Sequence, residues 1–228
     1  MTKHLRRLLE STPASDDTER FAIVRAALTA SDRFDDAGVL NIAKEVVDPF
    51  AKPGIASAQW LLMRGETLRR SGDAASAESV FREVVTRFPD FAPGQNMLAY
   101  TLLKENRRLD DALAAAARAT TLSPGSADYF DTLARVQLAR GDLDAAEKAF
   151  RSALSQGDDC LDALVGLARL QLQRGRRADA AGTLARIDRQ LKLVTTTTAP
   201  DTNPDTGAPR HLRDELATVR QGLASVHE

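Results

Sequence analysis

ADYFDTLARVQLARGDLDAAEKAFRSALSQGDDC, residues 127–160, decides the fold of this chain. Within it Phe130, Leu133, Ala134, Leu138, Leu143, Ala146, Phe150, Ala153 and Leu154 recur at helical spacing on either side of Arg140-Gly141-Asp142. That is the pattern of two amphipathic helices joined by one tight turn. Gly141 supplies the positive φ that ends the first helix, and Asp142 stands where it can cap the second. Small residues at Ala134 and Ala146 let the two axes approach, because a large side chain at either place would push them apart.

Working outward, the stretch is one copy of a repeat. The small residue of the second helix falls at Ala37, Ala77, Ala112, Ala146 and Ala180, at intervals of 40, 35, 34 and 34. The small residue of the first helix falls at Gly65, Ala99, Ala134 and Ala168, with Arg25 in the first copy. A closing proline stands at Pro49, Pro89 and Pro124 and is replaced by Asp158 and Lys192 in the last two copies. A period of about 34 residues sets the whole architecture. In this order of aromatic, Leu, small residue, Gly-Asp, small residue, aromatic, small residue and Pro, the chain resembles the tetratricopeptide repeat family.

The resemblance covers residues 18–194 in five units: 18–51, 58–91, 92–126, 127–160 and 161–194. The first is degenerate, with Arg25, Asn41 and Lys44 where small or apolar residues are expected, and 92–126 carries one extra residue in Asn106-Arg107-Arg108. It implies an all-α fold, a right-handed superhelical solenoid of antiparallel helix hairpins. Overpacking a close helix contact typically costs about 1–3 kcal/mol, which is the loss expected for Ala146→Leu.

A solenoid leaves an apolar face open at each end, so its terminal elements are modified or covered. Residues 1–17 read as an N-terminal amphipathic helix and linker. Residues 195–210, rich in Thr, Pro and Asp, read as a flexible linker. Residues 211–228 read as a C-terminal helix with Leu212, Leu216, Val219, Leu223 and Val226 on an a/d seam. That seam must be buried, either as a capping helix on the last unit or in self-association or partner docking.

The composition contains little chemistry. The 228 residues carry 31 Lys+Arg against 32 Asp+Glu, a balance that offers nucleic acid no basic surplus. Aromatics at 5% against 38 alanines exclude an all-β fold. Arginine outnumbers lysine 25 to 6, the usage of a GC-rich genome, which points to a bacterial source. No membrane-length apolar run and no signal-peptide core is expected, and with Cys160 as the single cysteine the default location is cytoplasmic. His4, His211 and His227 pair with no Cys or carboxylate at metal-ligand spacing, so no metal and no cofactor is expected. Neighbouring Asp158, Asp159 and Asp162 discourage a Cys160 thiolate. Gly72, Gly141 and Gly175 are turn glycines rather than a phosphate loop, and Asp110-Asp111 and Asp158-Asp159 read as helix-end carboxylates rather than acid/base pairs. The chain is expected to have no catalytic residue.

The resemblance implies that the first helices of successive units line a concave groove that reads a peptide or partner protein. Transferred by position, its candidate residues are Glu66, Arg70, Asn96, Tyr100, Lys104, Asp131, Arg135, Asp162, Arg169 and Gln173. Asn96 and Asp131, 35 residues apart, either hydrogen-bond neighbouring units or contact the ligand. Arg135→Ala is expected to change stability by no more than about 0.5 kcal/mol if Arg135 is an exposed groove residue. The chain therefore reads as a non-catalytic interaction scaffold with a protein or peptide partner and neither nucleic acid nor membrane. The alternatives are an assembly module forming a homo-oligomer through the C-terminal helix or the solenoid ends, and an accessory subunit of a separately encoded enzyme.

Overall fold

A computed structural model describes residues 1–13, 17–33, 37–51, 56–157, 160–197 and 212–224. All regular structure among them is helical, and the chain forms two compact units, Met1–Arg107 and Arg108–Glu228. The first holds α1 (Thr2–Ser11), α2 (Asp17–Arg33), α3 (Ala37–Val47), α4 (Ala58–Arg70), α5 (Ala74–Arg87) and α6 (Ala92–Lys104). The second holds α7 (Leu109–Leu122), α8 (Ala127–Arg140), α9 (Leu143–Gln156), α10 (Leu161–Gln173), α11 (Arg177–Thr197) and α12 (Arg213–Ala224). None of the described helices is long and apolar enough to cross a membrane.

In the first unit, α2 and α3 pair as a hairpin around Val24, Ala27, Val39, Ile42, Ala43 and Val46, all wholly buried. Arg25, Asn41 and Lys44 face outward. Val24, not Arg25, therefore fills the packed position, and the first copy is displaced by one residue from its expected register. Trp60 on α4 lies edge-on to Phe21 at 5.4 Å and stacks on Phe50 at 4.7 Å, joining α4 to the first hairpin. On either side of residues 52–55, the guanidinium groups of Arg64 and Arg87 donate to the Ala51 and Ala56 carbonyls at 3.1 and 2.8 Å. Gly65 is small because the Phe81 ring lies against it: a Cβ there would come within 2.7 Å of the Phe81 Cζ.

The second unit pairs α8 with α9 and α10 with α11. Ala112, Ala134, Ala146, Ala168 and Ala180 are each wholly buried, so the small-residue columns mark helix-helix contacts. Ala146→Leu should cost about 1–3 kcal/mol, read as a lower denaturation midpoint with an unchanged helical spectrum.

Four first helices end alike. Gly72, Gly141 and Gly175 take φ of 88°, 85° and 72°, and the next amide donates back to Leu68, Gln137 and Gln171 at 3.0, 2.9 and 2.8 Å. After α6 the same place belongs to Asn106, φ 47°, with Arg107 donating to Leu102 at 3.2 Å. Asn tolerates this left-handed conformation better than most residues. Asp73 caps α5 by accepting from Ser76 N–H at 3.1 Å. Asp142 occupies the N-cap of α9 but gives no side-chain cap; its carboxylate accepts from Arg140 Nε at 3.1 Å instead.

The two helices expected for 92–126 are α6, in the first compact unit, and α7, in the second. Helix α11 continues to Thr197, three residues into the run read as linker; neither a proline nor a glycine stands at Leu191-Lys192, where the other copies carry one. Residues 198–211, with His211, and 225–228, with Val226 and His227, lie outside the described residues, as do Asp158 and Asp159.

Candidate functional site

In the first unit the candidate residues lie on α4 and α6. Glu66 accepts from Arg69 at 2.8 and 2.7 Å and from Arg70 Nε at 2.6 Å. Arg70 also donates to the Leu28 carbonyl at 2.7 Å and Ser31 Oγ at 3.1 Å, tying α4 to α2. Arg69 lies over the Tyr100 ring at 5.2 Å and Lys104 over the same ring at 5.3 Å. Tyr100 is half-buried and Lys104 exposed. Asn96 is also half-buried, and its Oδ1 accepts no hydrogen bond among the described residues.

In the second unit four candidates converge, and a fifth residue completes them. Arg135 donates from Nε to Asp131 Oδ2 at 2.8 Å, from Nη2 to the Asp162 carbonyl at 3.0 Å, and from Nη1 to both Glu215 oxygens at 2.9 Å. Arg169 approaches Glu215 at 3.8 Å. Arg135 is thus not an exposed groove residue: its side chain is 15% exposed and that of Asp131 11%. Asp131 spends its paired oxygen on its own helix rather than on a neighbouring unit. Gln173 is exposed and stands apart from this cluster.

Burial pushes the Asp131 carboxyl up to about 6. Arg135 pulls the other way, but its charge is shared with Glu215, and the carboxylates of Asp162 and Glu215 add repulsion. Between pH 4 and 6 the folded chain holds a proton at Asp131 that the unfolded chain has released, so this group's contribution to stability falls as pH rises through that window. Asp131→Asn should therefore gain stability relative to the unaltered chain as pH rises from 4 to 6.5, by on the order of 1–2 kcal/mol. Parallel denaturant titrations check this, and a difference flat with pH would refute it.

Two features are not legible in the sequence. Glu215 stands directly before the seam residue Leu216, and no apolar periodicity connects it with Arg135. Glu147 on α9 accepts from Arg151, Arg174 and Arg176 at 2.6, 3.1 and 3.1 Å, fastening the α10–α11 turn to α9. Hydrogen bonding to Arg176 holds the Glu147 carboxyl below the usual range. Cys160 is half-buried, and burial with the nearby Asp131, Asp162 and Asp128 carboxylates raises its thiol to about 11, unsuited to nucleophilic work. Among the described residues no group of three or more His, Cys, Asp or Glu side chains is arranged to hold a metal.

Two tetratricopeptide repeat family models match the chain, one over residues 62–127 and the other over 137–192. No curated protein is similar to it in sequence at a significant level. Among solved structures it is similar to TTC0263, a thermophilic TPR protein in Thermus thermophilus, at a TM-score of 0.65 and 20% identity over 88% of this chain and 99% of that one. It is also similar to MamA from Desulfovibrio magneticus RS-1, at 0.59 and 17% identity over 77% and 97% of the two chains. At these identities the likeness is one of fold.

Proposed function

The chain belongs to the tetratricopeptide repeat family, whose repeats are protein-interaction modules, and on that premise we propose that it is a non-catalytic cytoplasmic scaffold that binds a peptide or partner protein on the faces of its first helices. The observation that carries this is Tyr100, a half-buried ring on α6 flanked by two cations, Arg69 and Lys104. The ring offers a peptide an apolar contact and the exposed Lys104 ammonium a partner for its carboxylates, while Arg69, paired with Glu66, holds the ring in place. In the second unit the accessible candidates are Asp162, Arg169 and Gln173 on α10. Glu66, Arg70, Asp131 and Arg135 shape these faces through internal ion pairs.

The test is affinity capture from native lysate, comparing the unaltered chain with Tyr100→Ala combined with Lys104→Glu, after circular dichroism has matched their folds. A partner held by the unaltered chain and lost by the variant is expected. A partner held equally by both would refute the α6 face as its site. Of the two assembly routes, the one through the C-terminal helix needs its seam, yet Leu212, Leu216 and Val219 are 2%, 2% and 0% exposed within the chain's own second unit. Self-association through them requires α12 to undock first.

A further inference from the structure

We infer that the surface beneath α12 is a docking site for an amphipathic helix carrying an acidic residue directly before a leucine, and that α12 fills this site in cis. The inference rests on the scaffold reading and deepens it by naming the partner's chemistry and its internal competitor.

The surface has three parts. Its apolar floor is Leu164 and Val165 of α10 with Ile187 and Leu191 of α11, which receive Leu212 and Leu216 of the C-terminal segment. At one end stands Arg135. Two of its edges are held without any help from α12: Nε by Asp131 of α8 and Nη2 by the Asp162 carbonyl of α10. Nη1 is left to meet Glu215. A guanidinium posed by its own helices, with one edge turned to an incoming carboxylate, is preorganised for an acid on a docking helix. At the other end Arg177 donates to the Leu223 carbonyl at 2.6 Å. That carbonyl belongs to the last turn of α12, where any helix of this length presents unpaired acceptors, so Arg177 recognises a helix end and not a particular side chain.

The floor, the acid-binding arginine and the end-binding arginine together select a helix of about three turns with apolar residues at positions i, i+4 and i+7 and an acid at i+3. Leu212, Glu215, Leu216 and Val219 satisfy that rule in cis. A helix of twelve residues is marginal alone in water and owes its order to this surface. Because α12 is covalently attached, a free helix of equal quality competes at a disadvantage, so the site is guarded.

The test uses a fluorescein-labelled peptide of residues 212–224, LRDELATVRQGLA, and the full chain in three forms: unaltered, Glu215→Arg and Leu216→Asp. Both variants weaken cis docking while leaving the surface intact. They should bind the peptide at least about tenfold more tightly than the unaltered chain, and a peptide with Glu215→Gln should lose at least about tenfold. Equal binding by all three chains, or indifference to the Glu215→Gln change, would overturn the inference.

Should the variants unfold, hydrogen exchange on the unaltered chain decides. Excess peptide should speed exchange across the chain's own residues 213–224, and unchanged protection would overturn the proposal. A mass that doubles with concentration while α12 exchanges between copies would make a second copy of this chain the occupant and overturn the reading of a separate partner. None of these readouts involves Tyr100 or Lys104, so a negative result here leaves the capture experiment on the first unit to judge the scaffold reading separately.

Discussion

Arg135→Ala should destabilise the second unit by about 3–5 kcal/mol at pH 8, because removing one partner of a buried ion cluster strands the others. The substitution deprives Asp131 of its charge partner, the Asp162 carbonyl of its donor, and Glu215 of the nearer of its two cations, leaving it only Arg169 at 3.8 Å. The loss should shrink near pH 5, where a stranded Asp131 escapes its penalty by taking up a proton. Denaturant titration at the two pH values checks both statements. Arg169→Ala is the control: its side chain is 46% exposed and its ion pair spans 3.8 Å, so it should change stability by no more than about 0.5 kcal/mol. Equal effects from the two arginines would refute the assignment of Arg135 as the buried centre. The change within about 0.5 kcal/mol expected from the sequence assumed an exposed side chain and is corrected by the burial.

Phe150→Ala should cost about 3–5 kcal/mol, since the ring is wholly buried between α8, α9 and α10 and its removal leaves a cavity. The ring has a specific seat. A Cβ added at Gly166 would overlap it, and helix α10 carries glycine there despite its cost of about 1 kcal/mol relative to alanine. Gly166→Ala alone should therefore destabilise by about 1–3 kcal/mol through overpacking, against its helix-propensity gain. In the double variant the new methyl group enters space the ring has vacated. Its cost should fall well below the sum of the two single changes, by about 1–2 kcal/mol of coupling. Strict additivity in a double-mutant cycle would mean that the ring and the glycine do not share one space.

Much of this was legible along the chain. The columns Ala77, Ala112, Ala146 and Ala180 are zero-exposure contacts, and Gly72, Gly141 and Gly175 adopt the positive φ their turns require. These are properties of one hairpin, set by residues close in sequence, and repetition displays them several times over. The first copy was harder. The repeat spacing puts Arg25 in the small-residue column, whereas Val24 is the buried residue, because one repeat without its consensus residues offers nothing to correct the register. Asn106 does the work of a turn glycine because it tolerates the same backbone conformation, so composition alone did not reveal it.

The candidate site divided in the same way. Tyr100 and Lys104 sit where helical spacing puts them, on one face of α6, and their cation-ring contact is a relation between positions four apart. Arg135 and Glu215 are 80 residues apart, and no periodicity links them. The sequence by itself determined the helical hairpins, their turns and the small residues at their crossings, since local spacing dictates each. Only the tertiary structure decided that α12 lies against α10 and α11, and that the arginine read as a surface contact is the centre of a buried ion cluster. Docking depends on which apolar face remains open after the repeats have packed, and on where a guanidinium already held on two edges leaves its third.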